Sequence, residues 1–202
     1  MIAPQRSLSL SQESLEETLD CYLPNVRYLR AARVTHAEGF LPFECDVGSC
    51  VAVADGEFVA QPPWYIRDTG HFNSIEFNIC YNQLAFVLIR YCVDMGLDST
   101  LSDYIPKEEF VQRMLPSVLI LRYSVAFERP MRAARFSGRL GILKVVNKMR
   151  RLFLQTRLWV GRESSNWCSR GEVTLAVVRS APVVFDITHS IVDKDCARGS
   201  LV

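Results

Sequence analysis

Histidine is scarce in this chain, with three among 202 residues. The seven cysteines, at positions 21, 45, 50, 80, 92, 168 and 196, include no CxxC pair, and an odd number cannot close a full disulfide framework. A zinc site of ordinary spacing is therefore not expected, nor any other metal. An excess of charge of one sign is also missing. Lys+Arg number 23 against 22 for Asp+Glu, a formal charge of +1 with no like-charge run beyond three residues. That argues against a surface for nucleic acid or another polyanion, and leaves room only for a local basic patch. Long apolar runs are absent too. The most apolar window, 77–89, carries Asn78, Asn82 and Gln83, which makes it too short and too polar to cross a bilayer. Residues 1–19 hold one early arginine and no apolar run behind it, so the expectation is no secretory signal, no membrane association and a cytoplasmic protein. There is no internal repeat and no low-complexity linker.

What is present suits one globular domain. Hydrophobic residues make up 49% and charged ones 22% of the chain, enough apolar surface to offset the entropy of ordering it. The expectation is a single domain over 1–180 and a C-terminal extension over 181–202. Residues 9–20 read as a first helix, with Ser9, Ser11 and Ser14 competing to cap it and Pro24 stopping it. Strand-like stretches follow at 26–35 and 47–53, the second closed by an Asp55-Gly56 turn. A polar loop from Trp64 to Asn73 leads into a long helix, 74–94. Asn73 is a good N-cap there, and Glu76 stands where a capping-box side chain reaches back. That helix is apolar nearly all round, so it is buried on most sides, with Cys80 and Cys92 acting as small buried hydrophobes. A short helix after Pro106, with Glu109 and Arg113 spaced for an ion pair, ends at Pro116. The second half alternates like strands at 118–127, 136–146, 151–160 and 172–178. Successive strands with short turns argue for an antiparallel sheet, and the long helix is what it would cover. The fold class expected is α+β.

The segment Tyr65-Ile66-Arg67-Asp68-Thr69-Gly70-His71-Phe72-Asn73-Ser74-Ile75-Glu76, continued by Cys80-Tyr81-Asn82-Gln83-Leu84-Ala85, closely resembles the signature of the FcoT-like family. The match also takes in the Tyr22 region, the strand 116–127 with Arg129-Pro130, and 136–140. The resemblance implies a hotdog fold, in which a curved antiparallel sheet wraps a central helix. It implies one of two activities, hydrolysis of long-chain fatty acyl-CoA thioesters or addition of glycine to the β-carbon of a (2E)-enoyl chain on acyl carrier protein, as in isonitrile lipopeptide biosynthesis. The partners implied are the enoyl-loaded carrier protein, glycine and a second copy of the chain in a dimer or higher oligomer. No cofactor is implied beyond the pantetheine arm of carrier protein or CoA, which is part of the substrate. Carried across residue by residue, the family's proposed catalytic groups fall on Tyr22, Tyr65 and Asn82.

The residues themselves carry matching chemistry. Helix N-termini present unpaired N–H groups and partial positive charge, suited to a developing oxyanion or enolate. Gly70, His71 and Asn73 sit at that point. His71 is the natural proton carrier, since an ordinary histidine titrates at about 6.5; the alternative is a side chain that donates to a loop carbonyl. Tyr22 and Tyr65 either donate to the substrate or are amphipathic core residues. Asn82 needs a partner, either substrate or backbone, and Gln83 and Asn78 have the same two alternatives, with packing networks favoured for them. Arg67 is a candidate clamp for the glycine carboxylate or a surface partner of Asp68. Glu76 is either a catalytic carboxylate or the helix cap, with capping favoured. Three functions follow: glycine addition first, acyl-CoA hydrolysis second, and a non-catalytic acyl-binding module last.

Overall fold

The structure, a computed structural model, describes residues 5–37, 42–60, 70–132, 134–148, 151–162 and 166–179. In chain order its strands are β1 (Gln5–Ser9), β2 (Leu29–Ala37), β3 (Phe43–Cys45), β4 (Gly48–Cys50), β5 (Ala52–Phe58), β6 (Val118–Phe127), β7 (Phe136–Lys148), β8 (Arg151–Gly161) and β9 (Trp167–Val177). The helices are α1 (Gln12–Thr18), α2 (Ser74–Asp94), α3 (Ser99–Tyr104) and α4 (Phe110–Ser117). Seven strands form one antiparallel sheet in the order β1-β2-β5-β7-β8-β9-β6, and β3-β4 make a separate hairpin. This is the α+β arrangement expected from the sequence, with α2 packed against the sheet.

α2 spans the predicted residues because its signals agree. No glycine or proline interrupts 74–94. The Asn73 side chain accepts from the backbone N–H of Ile75 at 2.8 Å, and Glu76 Oε2 accepts from that of Asn73 at 2.8 Å, which completes a capping box. At the far end Gly96 N–H donates to Val93 O and Leu97 N–H to Cys92 O, the paired bonds of a Schellman stop. Between these ends Phe77, Cys80, Tyr81, Leu84, Val87, Leu88, Ile89 and Cys92 are at most 1% exposed. Each large apolar side chain so buried contributes about 1.5–3 kcal/mol before entropy is charged against it. Burial pushes the Cys92 thiol up to about 12 and Cys80 well above its ordinary value, as expected of inert core cysteines. The alternation expected along β8 is also present, with Leu152, Leu154, Leu158 and Val160 buried on one face.

Four expectations need correction. Residues 5–9 are a strand, β1, paired with β2 from Gln5↔Ala37 to Ser9↔Arg33, so the first helix starts later and Ser11 is its cap. Asp55-Gly56 is no turn; it lies inside β5, where Gly56 admits close packing. A Cβ there would meet Leu29 at 2.8 Å and Leu84 of α2 at 3.0 Å. The stretch 47–53 is split, because β4 turns back on β3 before β5 begins. Pro116 stands inside the last turn of α4 rather than after it. α3 was not anticipated, and β9 starts five residues earlier than the pattern suggested. The Glu109–Arg113 ion pair does form. The extension 181–202 lies outside the described residues.

Candidate active site

The approach to α2 is fixed by one aromatic ring. Phe72 is buried and packs edge-on to Phe136 at 5.1 Å, with Phe77 and Phe127 at 6.2 and 6.4 Å. Its backbone N–H donates to Met131 O at 2.8 Å. Because Phe72 points into the core, its neighbour His71 is left exposed beside Gly70, whose φ of +74° is the left-handed conformation glycine tolerates best. Tyr123 of β6 donates from its hydroxyl to Ser74 O at 3.4 Å, and burial pushes that hydroxyl up to about 12. The helix start is thus held by the loop, by β6 and by its own cap.

From there one face of α2 is open. Ser74 and Ile75 are exposed, and Asn78, Ile79 and Asn82 are half-buried, at the spacing of a single stripe. Asn82 Nδ2 donates to Asn78 Oδ1 at 2.7 Å across one turn. Phe86 is next on that face, and the Tyr22 ring covers it at 6.2 Å. Burial is the main cause that raises the Tyr22 hydroxyl above its ordinary value, with Cys21 and Cys80 adding to it, so the group stays a neutral donor. Tyr22 is itself pinned, since its carbonyl accepts from Arg27 Nε at 2.8 Å. The stripe alternates amides with apolar side chains and ends at a phenol.

Gly70, His71, Asn73 and Glu76 therefore cluster at the helix start, while Asn82 and Tyr22 lie further along the same helix. Ser74 and Asn82 are eight residues apart, about 12 Å of helical rise. His71 and Asn82 therefore stand toward opposite ends of the stripe rather than side by side. Asn73 and Glu76 spend their side chains on the capping box, the alternative favoured for Glu76 from sequence. Tyr65 and Arg67 lie outside the described residues. No group of three or more His, Cys, Asp or Glu among the described residues is placed to hold a metal ion.

Two further residues support this site: Gln83, which takes the packing role favoured for it from sequence, and Tyr28, which was not singled out. Gln83 is fully buried; its Oε1 accepts from the N–H groups of Tyr28 and Leu29 at 3.0 and 2.9 Å, and its Nε2 donates to Val26 O at 2.6 Å. It ties α2 to the start of β2. Tyr28 is also fully buried, and its hydroxyl has no hydrogen-bond partner among the described residues. Burial, with Glu76 and Cys80 adding to it, raises that hydroxyl above its ordinary value. A tyrosine inside a strand pattern was the available signal, since a buried phenol ordinarily needs a partner.

A long capped helix packed against an antiparallel sheet defines a hotdog-class protein, and the stripe leading from the helix N-terminus is its candidate substrate groove. The chain belongs to the FcoT-like thioesterase domain family, which it matches over residues 17–177. It is 35% identical to a (2E)-enoyl-[ACP] glycyltransferase of Streptomyces coeruleorubidus over 134 residues, 66% of this chain and 74% of that one. It is 30% identical to a (2E)-enoyl-[ACP] glycyltransferase of Mycobacterium marinum over 179 residues, 84% of this chain and 88% of the other. A thioesterase variant from Pseudomonas aeruginosa superposes on 85% of this chain and 96% of its own, with a TM-score of 0.46 and 9% identity. No helix among the described residues is long and apolar enough to cross a membrane.

Proposed function

We propose that this protein adds glycine to the β-carbon of a (2E)-enoyl chain carried on the pantetheine arm of acyl carrier protein. The observation that carries this reading is the use of Glu76. The acid on the first turn of α2 holds the Asn73 N–H at 2.8 Å, and the stripe beyond it offers amides and a phenol rather than a carboxylate. Hydrolysis through a helix carboxylate needs that group free to attack or to activate water, whereas an amine substrate brings its own nucleophile. The two relatives named above support the same choice.

In the addition, the glycine amine in its free-base form attacks the β-carbon and forms the C–N bond. The C=C electron pair moves through the α-carbon onto the thioester oxygen as an enolate. Collapse of the enolate takes a proton at the α-carbon, and the new ammonium gives one up, so one N–H has added across one double bond. His71, exposed at the helix start, would move these protons, and the positive end of α2 would favour the enolate. Tyr65 would donate to the thioester, and Arg67 would hold the glycine carboxylate. Asn82 and Tyr22, about 12 Å and more along the helix, would then meet the acyl chain side of the substrate rather than the thioester. Glycine, acyl carrier protein and a second copy of the chain are the partners of this reading, and no cofactor enters it.

Hydrolysis of an acyl-CoA is the second reading, favoured by the thioesterase description of the family domain. One incubation separates the two. The purified protein is mixed with a (2E)-enoyl carrier protein and isotopically labelled glycine, and the acyl-pantetheine species are weighed. The expected product retains the thioester and gains one glycine; release of free thiol without an adduct overturns the proposal. His71→Ala is expected to lower turnover by 10²-fold or more, the scale of lost general acid–base catalysis, with the thermal midpoint unchanged. A parallel loss of folding would make His71 structural.

A further inference from the structure

The hairpin β3-β4 lies on the outer side of the sheet, away from α2. Val47 and Cys50 press onto β7 at Gly141, where an added Cβ would meet Cys50 Sγ at 2.5 Å and Val47 Cγ2 at 2.7 Å. They belong to a small second core with Ala37, Phe43 and Val53, edged by Cys45, Leu143 and Trp159. The hairpin register, Phe43↔Cys50 and Cys45↔Gly48, puts Cys45 and Cys50 diagonally on one face. Their sulfurs are 3.3 Å apart, and each also lies within reach of Gly48 O, at 3.3 and 3.5 Å. Both are free thiols; Cys50 is buried and Cys45 is half-buried.

The surroundings treat the two differently. The Cys50 thiol beside it, with help from the Val47 backbone and the Arg139 guanidinium, lowers Cys45 to about 7, against the opposing effects of burial and Asp46. Cys50 is driven the other way by Cys45 and by burial, with Glu44 adding to the rise and Arg157 opposing it. Arg139 is held in place by Asp46 and Asp55, and Arg157 donates to Val47 O at 3.0 Å. The half-buried Cys45 thiol thus ionises more readily than an ordinary cysteine, with the protonated Cys50 thiol in van der Waals contact beneath it. This is the arrangement of an attacking and a resolving cysteine.

We propose that Cys45 and Cys50 are a dithiol oxidation site for hydroperoxides, separate from the groove on α2. The Cys45 thiolate attacks the terminal hydroperoxide oxygen, the O–O bond breaks, and the departing oxygen leaves as alcohol or water after taking a proton. Cys45 is then a sulfenic acid. Cys50 attacks its sulfur, an S–S bond forms as the S–O bond breaks, and water leaves with the Cys50 proton. Two thiols lose two electrons and the hydroperoxide gains them. The sulfurs need to close by about 1.3 Å to reach bonding distance, a shift within one hairpin turn.

The test uses the full chain, reduced, desalted and given one equivalent of hydrogen peroxide. The expected result is a mass loss of about 2 Da and a Cys45–Cys50 linked peptide in the non-reducing digest, at a rate that rises as pH passes through about 7. Cys21, an exposed residue whose partly desolvated thiol is raised rather than lowered, is the internal control. At pH 7 Cys45 is expected to alkylate roughly tenfold faster than Cys21, after allowing for the lower nucleophilicity of a more acidic thiol. With Cys50→Ala, oxidation is expected to stop at a Cys45 sulfenic acid that a dimedone probe captures. Equal reactivity of Cys45 and Cys21, or first oxidation elsewhere, overturns the proposal in the wild-type chain alone. Glycine addition plays no part in any of these readouts.

Discussion

Gln83 bonds through both its amide oxygen and its amide nitrogen to three backbone groups more than fifty residues away in sequence. Replacing it with leucine keeps the approximate volume but leaves the Tyr28 and Leu29 N–H groups and the Val26 carbonyl without partners. Each buried orphan costs about 1–3 kcal/mol, so Gln83→Leu is expected to lose about 3 kcal/mol or more. Tyr28→Phe should go the other way. It removes a buried hydroxyl that has no partner among the described residues, and a gain of about 1 kcal/mol would lift the midpoint by roughly 2–4 °C. Thermal denaturation of the two variants checks both signs; a Tyr28→Phe midpoint well below wild type would mean that the hydroxyl is hydrogen-bonded in solution. These neighbours also show what one-dimensional reading loses. Asn73 and Glu76 were legible because a cap is local: both partners lie within four residues. Tyr28, the Cys45–Cys50 contact and the particular partners of Gln83, whose packing role was itself expected, were not, since each depends on chain return or hairpin register, which periodicity does not encode. Tyr22 and Asn82 were named singly, and only packing through Phe86 shows them on one face.

At the scale of elements, α2 was read to the residue because cap, composition and stop signal agree. β1 was missed for the opposite reason. Gln5–Ser9 has a single apolar residue, Leu8, and every one of its positions is exposed, so no buried face marks it as a strand. Asp55-Gly56 misled because the same dipeptide serves two purposes, a tight turn or a place where another element comes close. Here the second holds, with Leu84 of α2 over Gly56. Gly56→Ala would force Leu29, Leu84 and the Phe58 ring outward. Overpacking of that kind costs about 1–3 kcal/mol, and the loss should appear as an earlier urea midpoint with an unchanged slope. A midpoint equal to wild type would mean that the helix rides further from the sheet than the contacts indicate.

For the whole molecule, the sheet has two ends, and they are managed differently. β1 is short, five residues of mostly polar chain, a common way to blunt an edge. β6 is ten residues long and exposes Leu119, Ile120, Leu121 and Phe127. An edge of that length and polarity is a template for pairing with another strand. The same strand supports the site: Tyr123 reaches Ser74, while Phe127 packs on Phe72 and Phe77. A second copy that extends the sheet at β6 would place its own chain beside the start of α2, so assembly and the groove would share one seam. The expected state is a homodimer, or a higher oligomer built from it, by sedimentation equilibrium at micromolar concentration. Leu121→Lys, which puts a charge in the middle of the edge, is expected to shift the mass toward a single chain of 23.0 kDa and to weaken substrate binding along with it. Dimers that survive this change with the same dissociation constant would place the interface elsewhere. Monomers that keep full activity would separate the groove from the seam.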